Sequence, residues 1–169
     1  NFLSKPFFTK SGFINDFNLF FKNANTDAKN SSTYKNDLDS NFYTSLILNS
    51  TLPLMKSYSN YESKLKPTLS LRLNPNRSES LTNKDRRINF VNIFSNNRLA
   101  LSDSLEGGQS LTMGTEYIFN KKDGLEILNI NFAQIYRDIN EDRLPTKSKM
   151  NTKSSDVVGE IKIKPNNYI

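Results

Sequence analysis

The stretch Tyr61–Asn74, YESKLKPTLSLRLN, alternates apolar and polar side chains along almost its whole length. Tyr61, Leu65, Pro67, Leu69, Leu71 and Leu73 fall on one face, and Glu62, Lys64, Lys66, Thr68, Ser70 and Arg72 on the other; only Ser63 departs. A period of two is the signature of a β-strand, because successive side chains point to opposite sides of the pleat. Working outward, the same alternation recurs. Leu111, Met113, Thr115, Tyr117 and Phe119 oppose Ser110, Thr112, Gly114 and Glu116. Val157, Gly159, Ile161 and Ile163 oppose Val158, Glu160, Lys162 and Lys164. Phe13, Phe17, Leu19 and Phe21 share a face, as do Phe42, Leu46, Leu48, Leu52 and Leu54. Leu128, Ile130, Phe132 and Tyr136 form a further row whose opposite face is less polar. Helix signals are nearly absent.

These rows predict seven strands: Asn1–Phe8, Phe13–Lys22, Asn41–Met55, Tyr61–Asn74, Gln109–Asn120, Leu125–Arg137 and Val157–Asn166. Most are longer than the usual strand of about 5–6 residues. The connections alternate: Thr9–Gly12, Lys56–Asn60 and Lys121–Gly124 are short, whereas Asn23–Ser40, Pro75–Gly108 and Asp138–Asp156 are long and polar. In Lys122-Asp123-Gly124 the glycine supplies the positive φ of a tight turn. Long strands, one apolar and one charged face, and turns of alternating length describe an all-β, antiparallel transmembrane barrel of outer-membrane type. A soluble sandwich that buries the apolar face is the alternative. Seven strands are too few and odd in number for a single-chain bacterial barrel, and open edges in lipid are costly. Residues 1–169 therefore read as a section of a larger barrel.

Composition narrows the chemistry. The 169 residues include no Cys and no His, which removes thiol and imidazole catalysis, zinc sites built on those ligands, and disulfides. Hydrophobic residues are only 36%, yet 11% are aromatic, which is not a disorder composition. The net charge of +6 fits a Lys- and Asn-rich genomic bias, or attraction to anionic lipid or sugar phosphate. Nucleic-acid binding is not expected, because the basic residues are dispersed among acidic ones instead of clustered.

The stretch Ile88–Tyr117 reads INFVNIFSNNRLALSDSLEGGQSLTMGTEY. It resembles the central signature of the LPS-assembly outer-membrane protein family, LptD (OstA/Imp). The matching residues are Ile93 and Phe94, Asn97 and Arg98, Asp103, Glu106, Gly107 and Gly108, then Gly114 and Tyr117. Asn131-Phe-Ala-Gln-Ile-Tyr-Arg137 resembles the family's next strand, and Leu52-Pro-Leu54 and Leu65-Lys-Pro67 resemble upstream ones. The likeness runs from about Gly12 to the end. Two positions depart: the family's glycine four residues after the Asn is Leu101, and the Arg after the Asp is Ser104. A turn relying on that glycine must be rebuilt, and any ion pair of that arginine is missing.

The resemblance implies transport without covalent chemistry: lipopolysaccharide is inserted into the outer leaflet of the bacterial outer membrane. It implies a middle section of the C-terminal barrel, with the N-terminal jellyroll and closing strands absent from residues 1–169. It also implies an LptE-type plug lipoprotein inside the barrel and periplasmic bridge components reached through the jellyroll. Another large barrel, a porin or substrate receptor, is the runner-up.

From the residues themselves, one long loop, Pro75–Gly108, is expected to re-enter the lumen. Its apolar segment Ile88–Phe94 suits no solvated loop, and Arg98, Asp103 and Glu106 can satisfy one another there. Gly107-Gly108 permits a sharp or bulged entry into the strand at Gln109. Phe94, Asn97, Arg98, Asp103, Glu106, Gly107 and Gly108 are thus structural candidates, with ligand contact as the alternative. Lys64, Lys66, Arg72, Lys162 and Lys164 are candidate lumen cations, suited to phosphorylated sugars or simply to a wet lumen. No catalytic residue, metal or cofactor is expected. Asp103 and Glu106 lack any cleft signal for a glycosidase pair. Asp138, Glu141 and Asp142 lack the glycine and final glutamate of an EF-hand, so they read as a solvated outer loop.

Overall fold

The computed structural model describes residues 1–30, 37–76, 78, 80–101 and 104–164. Nine hydrogen-bonded segments form one antiparallel sheet: β1 (Phe2–Leu3), β2 (Phe7–Phe8), β3 (Ile14–Thr26), β4 (Asp39–Thr51), β5 (Leu54–Ser57), β6 (Tyr61–Asn74), β7 (Gly108–Lys121), β8 (Glu126–Tyr136) and β9 (Val158–Ile163). Their order is β1-β3-β4-β6-β7-β8-β9, with β2 also on β3 and β5 also on β6. The sheet is open, with β1 and β9 at its ends.

Prolines account for the difference between nine segments and the seven expected strands. Pro6 separates β1 from β2, and Pro53 separates β4 from β5. Across the second gap the register is unbroken: Thr51 faces Thr68 and Leu54 faces Leu65. Leu52 still donates to the Pro67 carbonyl at 3.0 Å, but Pro67 has no N–H to return. The strand is therefore continuous in space and interrupted only in its hydrogen bonds. The Lys121–Gly124 turn forms as expected, with Gly124 at φ 90°.

The wall is inverted relative to a soluble sheet. Leu48, Leu65, Leu69, Leu71, Met113, Phe132 and Ile161 are exposed, whereas Ser45, Ser70, Arg72, Ser110, Thr112 and Asn131 are buried. Leu69 is 41% exposed and its neighbour Ser70 is 5% exposed. A sandwich would bury the first set and wet the second, so this arrangement excludes it. An apolar outer band and polar interior are what lipid on one side and a lumen on the other require. Aromatic contacts flank the band: Phe21 and Phe42 lie 6.1 Å apart towards the long loops, and Tyr61 and Phe119 stack at 5.2 Å near the short turns.

Two expectations for the loops need correction. The Asn23–Ser40 connection is shorter than predicted, because the hairpin ladder runs out to Thr26 and Asp39. Backbone pairing continues there through polar residues, where hydrophobic alternation carries no signal. The Asp138–Asp156 segment is not a solvated loop either. Leu144 and Met150 are fully buried, and Leu81 donates to the Arg143 carbonyl at 2.7 Å, joining this segment to the first long loop. Together Leu81, Ile88, Ile93, Leu99, Leu101, Leu144 and Met150 pack against Ala133 and Ile135 of β8. The hydrophobic core thus lies on the polar side of the wall, assembled from two infolded loops where one had been expected. Asp138 and Asp142 themselves remain at the surface.

Candidate functional site

The first infolded loop is held to the wall by buried charges. Glu106 lies just ahead of β7. Arg98 donates from Nε and Nη2 to its two carboxylate oxygens, and Arg137, at the end of β8, adds Nη2 to one of them. Arg98 also donates to Thr112 Oγ1 at 3.1 Å and Ser110 Oγ at 2.9 Å, both on β7. The side chains of Arg98, Arg137 and Glu106 are 1%, 3% and 2% exposed. Burial alone would raise the Glu106 pKa. The guanidinium groups of Arg98 and Arg137, with the Arg98 hydrogen bonds, outweigh burial and hold the carboxyl well below the usual carboxylate range. A carboxylate fixed in that state is unsuited to proton transfer near neutral pH. It can, however, hold two segments together.

Other groups complete the lock. Arg72 Nη1 and Nη2 donate to the carbonyls of Asn96 and Ser95, each at 2.6 Å. Asn74 Nδ2 donates to the Glu106 carbonyl at 2.7 Å, and the Gly107 N–H to Ser78 Oγ at 2.8 Å. Gly108 begins β7 at φ 78°, the left-handed conformation that the sharp entry required.

At both departures from the resemblance the loop is tied down by other groups. Ala100, just before Leu101, has a positive φ of 50°. Asn97 clamps the turn, its Nδ2 donating to the Leu101 carbonyl and its Oδ1 accepting from the Leu101 N–H, so that Leu101 becomes a core residue. Near Ser104, which replaces the arginine, Lys22 of β3 donates from Nζ to the Leu101 and Ser104 carbonyls at 2.7 and 2.9 Å.

Phe94 docks on the wall at Gly114. A Cβ there would stand 2.8 Å from the Phe94 ring and 2.7 Å from the Ala133 Cβ. Gly114→Val is expected to lift the loop, costing about 1–3 kcal/mol as overpacking does. Limited proteolysis checks this: trypsin should cut after Arg98 in the variant and spare that bond in the unsubstituted protein.

The sequence candidates thus fall into separate groups. Phe94, Asn97, Arg98, Glu106, Gly107 and Gly108 converge on the lock, while Asp103 lies outside the described residues. Arg72 is a loop anchor instead of a free cation. The other four candidate cations have carboxylate partners: Lys64 with Glu62 at 2.9 Å, Lys66 with Glu116 at 2.6 Å, Lys162 with Glu160 at 2.8 Å and Lys164 with Glu126 at 3.6 Å. The inner face is therefore a mixed-charge surface. Sequence reasoning did not single out Lys22, Asn74, Ser78 or Arg137. Only Arg137 carried a signal, as the last residue of the family-like element starting at Asn131. Among the described residues no cluster of carboxylates is arranged to hold a metal.

A search of curated proteins finds no match. A family model described as LptD, LPS transport system D, matches residues 3–169. It spans the inverted wall and the whole of the locked loop, so the chain belongs to the LptD family of outer-membrane LPS transport proteins.

Proposed function

We propose that residues 1–169 form a middle section of a translocon barrel that delivers lipopolysaccharide to the outer leaflet. The inverted wall carries this reading: an apolar band faces outward, and the polar side is filled by infolded loops. Two open sheet edges call for further strands to complete a barrel. In this reading the jellyroll and closing strands lie outside residues 1–169. The loop lock acts in assembly, and the sugar portion of the glycolipid passes the mixed-charge inner face. An LptE-type lipoprotein fills the remaining lumen, and periplasmic bridge components deliver substrate through the jellyroll.

The test is depletion of the full-length protein in its own cells. New lipopolysaccharide should stop reaching the surface, as read by surface labelling, while general porins keep arriving. Unchanged surface delivery would overturn the transport role and leave a porin or receptor.

A further inference from the structure

Below the locked loop, on the side of the short turns, the inner wall holds an open crevice of about 180 Å³ lined by Thr51, Lys66, Thr68, Phe90, Phe94 and Glu116. Two successive rungs of the sheet form its floor. Thr51 faces Thr68, their hydroxyls 3.1 Å apart, and Lys66 faces Glu116 across a 2.6 Å ion pair. The loop supplies its apolar side, where the rings of Phe90 and Phe94 meet edge-to-face at 6.2 Å. Lys66 and Glu116 keep side-chain exposures of 40% and 26%, so both stay within reach of a ligand.

The crevice is two-sided: aromatic carbon on one side, and hydroxyl, ammonium and carboxylate groups on the other. A pyranose ring has the same division. Its C–H patch packs on aromatic rings, and its hydroxyls donate to a carboxylate and accept from an ammonium. A phosphate would meet Glu116 and gain nothing from the phenylalanines. An acyl chain would cover the ion pair without replacing its water. The volume is below the roughly 300–1,000 Å³ of drug-sized pockets, so the crevice itself holds about one ring while the rest of the ligand extends into the lumen. We propose that this crevice is a docking subsite for one outer sugar ring of the transported glycolipid. Resting on the transport reading above, it adds a defined stopping point at the underside of the loop.

The full-length protein in cells provides the test, with a photoreactive benzoylphenylalanine at Phe90 and, separately, at Lys64 further along the same inner face. Lipopolysaccharide should crosslink at Phe90. Glu116→Gln should reduce that crosslink about tenfold, the effect of replacing a charged hydrogen-bond acceptor by a neutral one, with the amount of folded barrel unchanged. Cells making glycolipid stripped of its outer sugars should lose the Phe90 crosslink as well. Retention of the crosslink with the stripped glycolipid, or in Glu116→Gln, would overturn the sugar subsite. So would crosslinking at Lys64 with none at Phe90, which leaves the transport reading intact. No crosslink at either position would count against both.

Discussion

Glu106→Ala in the full-length protein is expected to lower the amount of folded barrel in the outer membrane sharply. The substitution leaves Arg98 and Arg137 buried side by side with no carboxylate between them. Breaking a buried pair by removing one partner costs about 3–5 kcal/mol, because the remaining charge has been taken out of water without compensation. Heat-modifiable mobility on gels and surface lipopolysaccharide labelling provide the readouts, and the two should fall together. A normal barrel level with failed delivery would instead assign Glu106 to ligand contact. Exchanging the charges, Arg98→Glu with Glu106→Arg, is expected to rescue poorly, since it sets a new guanidinium against Arg137. The pH dependence follows from the depressed pKa of Glu106. Its stabilisation is complete above the ordinary carboxylate range and is lost progressively as pH falls from that range towards the lowered folded-state value. At neutral pH the lock therefore contributes in full, and its contribution shrinks steadily in acid below the ordinary carboxylate range.

Leu69→Arg is expected to have the second large effect. Leu69 sits in mid-strand on the outer face, between Ser50 and Met113. An arginine there meets hydrocarbon, at about 2–4 kcal/mol near the bilayer midplane. Glu62→Arg, on the wet face near a strand end, should stay close to the unsubstituted protein in urea titrations of the folded barrel. Ser70 would be a poor control despite its inward position. Its hydroxyl donates to Asn49 Oδ1 at 2.7 Å, and arginine does not fit at a site only 5% exposed. Equal loss at Leu69 and Glu62 would mean that the outward face had been assigned wrongly.

The strands and their facing were legible because alternation is a local property. Tyr61–Asn74 was read residue for residue, and its apolar set does lie on the exposed face. Where alternation lapsed, the reading lapsed: the polar outer ends of β3 and β4 pair through backbone groups that every residue carries. The loop lock was half legible. Arg98 and Glu106 lie eight residues apart in one motif, and their opposite charges invited pairing. Other contacts that hold the loop come from distant parts of the chain. Arg137 reaches Glu106 from 31 residues away, and Lys22 reaches Ser104 from 82 residues away.

By itself, then, the sequence determined the wall: its strands, its inverted faces and the presence of an infolding loop, all from periodicity and short-range charge pattern. Tertiary structure alone decided what closes over the inner side. Leu144 and Met150 look unremarkable within a polar stretch, and become core only when the second loop meets the first over Ala133 and Ile135. The physical reason is that burial and charge neutralisation at a site depend on every segment that converges there. Strand alternation needs only each residue's nearest neighbours.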